Sequence, residues 1–334
     1  MGRLSHLRAV NDTVKIQLVT PAPLRINNGN RVTALRWAAI LKQLGHRVRV
    51  AQSYDGRPCD LLIALHARRS ADSILRFHEN HPELPLIVVL TGTDLYRDIH
   101  RDPEAKRSLD LATRLVVLQS MALRELPKRL HGKTRVIYQS AEAVKLKPKN
   151  SGFFEVCVIA HLREEKDPLR AALAARKLPK SSRIRVTHIG LALDPALGEK
   201  ARREAARNRR YRWLGQLSHA KTRRALASSQ LVCITSKMEG SSNVLAEALA
   251  SDVPVIASKI AGLIGTLGPR YPGYFPLGDT KRLRKQLLKA EADIAFYRRL
   301  NRDCGQLAKL VEPTREVAAW RRLLTECNPK RSRK

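Results

Sequence analysis

Aromatic residues are scarce in this chain: 3 Trp, 7 Tyr and 5 Phe make up 4% of 334 residues, leaving few rings on which bases could stack. Recognition of nucleic acid usually shows basic residues interleaved with exposed aromatics, or a helix-turn-helix, zinc-finger or RNA-binding signature. None of these patterns is visible. Acidic residues are few as well, with 30 Asp and Glu against 63 Lys and Arg, a net charge of +33. A surplus of that size implies phosphate-bearing partners or a strong steering field, without saying which phosphates. No specific nucleic-acid partner is expected, and a basic nucleic-acid-binding protein remains the competing reading from another class.

Long hydrophobic runs are also missing. No stretch approaches the roughly 18 uncharged apolar residues that a membrane helix needs. The first twelve residues (MGRLSHLRAVND) lack the apolar core of a signal peptide. A cytoplasmic protein without a membrane span is expected, with residues 1–13 as a flexible leader. The five cysteines, Cys59, Cys157, Cys233, Cys304 and Cys327, form no C-x-x-C pair. They read as buried reduced thiols, which argues against a disulfide frame or a zinc site. No Asp-x-Asp pair stands beside a strand end in the C-terminal half, so no metal is expected. Gly262, Gly265 and Gly268 are spaced G-x-x-G-x-x-G, which is not the dinucleotide fingerprint.

What is present is alternation. Short apolar runs suited to buried parallel strands fall at 14–19, 48–51, 61–65, 86–90, 115–118 and 135–138, and helical patterns at 31–44, 69–80, 103–113 and 121–130. Residues 143–152 (AVKLKPKNSG) are charged and turn-rich and mark a linker. The alternation then restarts, with strands at 154–160, 185–189, 211–214, 231–234 and 255–257. Two β-α runs imply an α/β protein of two Rossmann-like domains, 14–142 and 153–326. The mostly helical stretch 280–326 can cross back over the cleft between them. The basic clusters Arg202–Arg203 with Arg207–Arg210 and Lys281–Lys289 read as solvated helix faces, and residues 327–334 as a basic tail.

The densest chemistry follows the strand 231–234. A loop of small residues leads through Glu239, Gly240, Ser241, Ser242 and Asn243 into a helix that carries Val244 and Glu247. Free N–H groups at such a helix start, and the positive end of its dipole, make an anion site. Ser242 or Asn243 can cap the helix. Capping does not account for the two acids, since a capping box puts Glu three residues after the cap. A carboxylate at Glu247, one turn on, can accept hydrogen bonds from a diol such as ribose, and Glu239 can do so for a second polyol.

Glu239 and Glu247, with seven residues between them, resemble the E-x7-E hallmark of the glycosyltransferases of GT-B fold. The continuation 248–257 (ALASDVPVIA) resembles that superfamily too, with Asp252 where Gly is usual. The resemblance implies two Rossmann-like domains with parallel sheets facing a central cleft. It also implies that Glu247 binds the nucleotide ribose and Glu239 the donor sugar. A second donor element of the superfamily, Gly-Arg-Leu…Glu-Lys-Gly, is matched by residues 160–167 (AHLREEKD). Lys166 is retained, and either His161 or Arg163 stands in for the diphosphate-binding Arg. Cations and a helix dipole there would stabilise the departing diphosphate.

In open α/β sheets ligands meet the loops at the carboxyl ends of the strands. In the first domain those loops carry Gly29, Asn30 and Arg31 at a helix start, then His66, Arg68 and Arg69, then Thr91, Gly92, Thr93 and Asp94. Arg68 and Arg69 could equally open a helix that faces solvent. The loops are polar and cationic, which suits a small anionic acceptor. For an alcohol acceptor Asp94 or His66 would be the candidate base. The wording of residues 29–37 (GNRVTALRW), 65–70 (LHARRS), 90–98 (LTGTDLYRD) and 164–168 (EEKDP) resembles the selenosugar synthase branch of the superfamily. That branch implies transfer of N-acetylglucosamine from UDP-GlcNAc to selenophosphate, on the route to selenoneine, with small-molecule substrates and no cofactor.

Overall fold

The fold was analysed in a computed structural model, in which residues 13–21, 29–146 and 152–327 are described. The proposed leader apart from residue 13, half of the linker (147–151) and the basic tail apart from Cys327 lie outside those residues. Six strands form the first sheet: β1 Lys15–Val19, β2 Arg47–Ala51, β3 Leu61–Leu65, β4 Leu86–Leu90, β5 Arg114–Val117 and β6 Thr134–Val136. Six more form the second: β7 Phe154–Ile159, β8 Ile184–Ile189, β9 Tyr211–Trp213, β10 Leu231–Ile234, β11 Val255–Ser258 and β12 Tyr274–Phe275. Both sheets are parallel, ordered β2-β1-β3-β4-β5-β6 and β12-β11-β10-β7-β8-β9. This is the α/β, GT-B type arrangement expected from the sequence.

Central strands read as unbroken apolar runs because helices cover both faces. Every residue of β3 and β4 is buried. The five cysteines are buried and unpaired, and burial pushes the Cys157 thiol up to about 12. On the helix Pro195–Arg207, Arg202 and Arg203 pair with Glu199, and Arg207 with Glu204, which accounts for part of the basic cluster there.

Three local expectations change. The pattern at 121–130 is not one helix but a 3-10 segment Ser120–Glu125 and a short helix Lys128–His131. Pro127 is the cause, since it drives the preceding residue out of the α region, and Leu126 is extended. After β4, Asp94–Asp98 form a single π-helical stretch that no apolar periodicity announces. Strand β12, two residues long, escaped the sequence reading.

The C-terminal helix Pro313–Glu326 returns to the first domain. Its Trp320 is fully buried edge-on against Trp37 at 4.8 Å, and Leu323 and Cys327 join the same core. The first domain is therefore completed by the last described helix of the chain. No helix among the described residues is long and apolar enough to cross a membrane.

Candidate active site

A cleft of about 450 Å³ opens between the carboxyl ends of the two sheets. On the second-domain side it is walled by the segment after β10. Ser242 is the N-cap of the helix Asn243–Ala250, its hydroxyl accepting from the N–H of Leu245 at 3.3 Å. That decides between the two capping candidates and leaves Asn243 for other work. Gly240, Ser241, Ser242, Asn243, Val244, Glu239 and Glu247 all line the cleft.

The acids there are paired. Lys166 Nζ donates to Glu239 Oε1 at 2.5 Å, and the Ser236 hydroxyl donates to the same oxygen at 2.7 Å. Glu247 lies 3.1 Å from His219 Nε2, on the first residue of the helix His219–Ala227. Both carboxylates are nearly buried, at 8% and 7% exposure, so a polyol replacing either Lys166 or His219 as partner would meet little competing water. Lys166 is delivered by the turn Glu164–Lys166 after β7. The Thr235 hydroxyl stitches that turn to the β10 loop by donating to the carbonyls of Lys166 and Asp167 at 3.0 and 2.9 Å.

His161 and Arg163 both reach the cleft wall. His161 Nδ1 accepts the N–H of Leu191 at 3.0 Å. Arg163 Nε is buried with no hydrogen-bond partner among the described residues, a donor whose desolvation is uncompensated. Below them His188 is enclosed, Nε2 donating to the carbonyl of Ala160 at 2.9 Å and Nδ1 accepting from the Tyr211 hydroxyl at 2.8 Å. Burial pushes its pKa down to about 4, so it is a neutral strut under the site.

Two departures from the superfamily pattern have a backbone explanation. Asp167 and Asp252 stand where Gly is usual, and their φ values are +43° and +56°. That left-handed region favours Gly and is tolerated by Asp better than by most residues. The turns survive the substitution.

The opposite wall carries Gly29 and Asn30 at the start of the helix Gly29–Gln43, with His66, Arg69, Thr91, Gly92 and Thr93. His66 is buried at φ +74°, Nδ1 accepting from the N–H of Arg69 at 3.2 Å and Nε2 donating to the Thr93 hydroxyl at 2.9 Å. Three expected residues are not on the wall. Asp94 is fully buried, its carboxylate accepting from the N–H groups of Ala67, Thr91 and Gly92 at 3.0, 2.9 and 2.8 Å. With its lone pairs so engaged, it holds the loop and has no reach to an acceptor, which corrects its reading as a base. Arg68 points outward to Asp102 at 2.5 Å, and the backbone N–H of Ala105, together with this ion pair, depresses the Asp102 pKa. Arg31 also stays off the wall.

The walls come close at Gly240, where a Cβ would sit 2.3 Å from the carbonyl oxygen of Thr91, so only glycine allows the approach. Several cleft residues were not anticipated, among them Gly190 at the end of β8, Gln216 and His219. A glycine closing an apolar strand was the available signal for Gly190. His219 carries none beyond following a Ser cap. Among the described residues no three His, Cys, Asp or Glu side chains are grouped to hold a metal ion.

Residues 140–307 match the family described as Glycosyl transferases group 1. Among solved structures, HepE of Anabaena, in complex with UDP and glucose, superposes with a TM-score of 0.72 at 14% identity, covering 94% of this chain and 100% of that one. Sucrose-phosphate synthase of Thermosynechococcus elongatus gives 0.73 at 15% identity, with 93% and 98% covered. A UDP-forming α,α-trehalose-phosphate synthase of Burkholderia vietnamiensis gives 0.66 at 14%, with 90% and 81% covered.

Proposed function

The chain belongs to the Glycosyl transferases group 1 family, and from that premise we propose that it moves N-acetylglucosamine from UDP-GlcNAc to selenophosphate. The observation that carries the donor side is the Lys166–Glu239 pair beside Arg163, whose buried Nε lacks a partner. A β-phosphate entering there gives Lys166 and Arg163 an anion, and it frees Glu239 for sugar hydroxyls. Glu247, released from His219, takes the ribose diol. The N-terminus of the helix Asn243–Ala250 adds its dipole to the same phosphate.

In the transfer, a selenium lone pair forms a bond to the anomeric carbon as the bond from that carbon to the diphosphate oxygen breaks. The departing electron pair stays on UDP. Charge grows on the diphosphate in this step, so Lys166, Arg163 and the helix start act where the transition state is most demanding. The nucleophile is already an anion and needs no base, which agrees with a first-domain wall that carries no carboxylate among the described residues, Asp94 behind it being spent on backbone N–H groups. Arg69 and the helix start at Gly29 and Asn30 supply the cation and N–H groups for a small charged acceptor. The choice of N-acetylglucosamine and selenophosphate is supported by the wording of the loops 29–37, 65–70 and 90–98.

The test is incubation with UDP-GlcNAc and selenophosphate, followed by mass spectrometry. UDP together with a selenium-containing sugar is the expected result. Turnover with hydroxyl acceptors alone would reassign the acceptor, and UDP release with free sugar and no acceptor would make the protein a sugar-nucleotide hydrolase. Binding of RNA with steep salt dependence and none of UDP would overturn the reading entirely.

A further inference from the structure

Glu316 is a buried carboxylate that sugar transfer does not use. It sits on the returning helix Pro313–Glu326 at 2% exposure. It accepts hydrogen bonds from Trp37 Nε1 at 2.6 Å, Arg36 Nε at 3.0 Å and the N–H of Ser140 at 2.9 Å, and also from the Ser140 hydroxyl. Ser140 lies on the stretch that leaves the first sheet for the second, and Glu316 on the stretch that comes back. Both passages of the chain between the domains thus converge on one carboxylate.

Arg36 extends this node to the cleft. Its Nη1 donates to Asn243 Oδ1 at 2.9 Å, and Asn243 opens the donor-wall helix. Asn243 in turn donates through Nδ2 to the carbonyl of Gly29 at 3.3 Å and the Thr33 hydroxyl at 3.4 Å. Trp37, Trp320 and Leu323 share one core with the first sheet, so Glu316 travels with the first domain. If the cleft widens, Arg36–Glu316 stays and Arg36–Asn243 has to part. Arg36 Nη2 is buried without a hydrogen-bond partner among the described residues, which costs the closed arrangement an unsatisfied donor and keeps it from being a permanent bolt. Further direct bonds between the domains, from Ser120 and Tyr138 hydroxyls to the carbonyl of Gly265, are neutral.

We propose that Arg36, oriented by Glu316, is a positioning residue: a latch that draws Asn243 and the donor-binding helix against the first domain and so sets the width of the cleft for transfer. A guanidinium suits this task because its rigid fork serves two partners at once, which an ammonium on a flexible stem cannot do with the same geometry. The proposal rests on the reading that the cleft takes a UDP-sugar.

The test compares wild type with Arg36→Met, and with Arg36→Lys as a milder variant should Met impair folding. Small-angle scattering of the ligand-free protein, amide exchange across residues 243–250 and UDP affinity are measured together with the melting temperature. The expected result is a larger radius of gyration and exchange at 243–250 about 10-fold faster, with UDP affinity within about 2-fold of wild type, because the opening is local. A double variant with Asn243→Ala should be no more open than either single one. Unchanged scattering and exchange would overturn the latch, as would exchange that rises evenly throughout both domains with a lowered melting temperature. If wild type does not bind UDP, the functional reading fails, while scattering of the ligand-free proteins still decides the latch.

Discussion

Across the cleft the second domain presents paired side chains, and the first presents mostly backbone. On the second-domain wall Lys166–Glu239 is an ion pair and His219–Glu247 a hydrogen bond, and a sugar and a ribose could take the place of Lys166 and His219. On the first, Asp94 turns inward and His66, at the wall, spends both ring nitrogens on the loops, leaving Arg69, helix-start N–H groups and the Thr91–Thr93 turn toward the space. The contrast suggests one wall built around the groups of a single donor and another whose acceptor is selected by shape and charge. Substitutions should therefore divide, with turnover lost at the paired acids of the second wall and stability lost at the buried loop anchors behind the first.

The largest effect is expected from Lys166→Ala. Turnover should fall on the order of 10²–10³-fold, about 3–4 kcal/mol of transition-state stabilisation, with a melting temperature near that of wild type. A large stability loss there would erase the contrast. Asp94→Asn should do the reverse, lowering stability by about 2–4 kcal/mol, because an amide group then faces N–H donors, while donor affinity in the folded fraction persists. Denaturant titration and UDP binding read the two quantities separately.

Acidity sharpens the comparison at the second domain. His188 titrates near 4 in the folded protein against 6.5 when unfolded, so the unfolded chain takes up the proton first. Its contribution is complete above pH 6.5 and is lost as pH falls toward 4, at about 1.4 kcal/mol per pH unit. Melting temperatures measured between pH 7 and 4.5 should show this slope, and His188→Gln should flatten it. The smallest effects belong to the arginine neighbours. Arg69→Ala should raise the acceptor KM about 10-fold and leave the donor KM alone, whereas Arg68→Ala, which loses an exposed pair with Asp102, should keep both the melting temperature and the kinetics of wild type.

How much of this could be read in the sequence follows the same division. Much of the second-domain wall is local in the chain: strand, small-residue loop, cap and both acids fall within residues 231–247, where the loop, the helix start and the resemblance to the E-x7-E pattern could be read together. The doubly wound architecture was legible for the same reason, from apolar runs alternating with helical stretches. On the other wall neighbouring polar residues look alike in sequence and differ in direction. Arg68 and Arg69 are adjacent, yet only Arg69 faces the cleft, because the positive φ at His66 and the π-helical stretch at Asp94–Asp98 set the directions. His219 and Arg36 act through partners 28 and 207 residues away, separations that no local pattern reveals.

The returning helix has a consequence in time. Trp37 finds Trp320 only after the whole second domain has been translated, because the helix that carries Trp320 comes last in the described chain. At typical synthesis rates the first sheet waits roughly 10–40 s after its own last strand has emerged, holding one indole face and the donors for Glu316 open to the surroundings. A nascent chain halted before residue 313 should be the form that holdase chaperones grip, and its release should coincide with the arrival of the final helix.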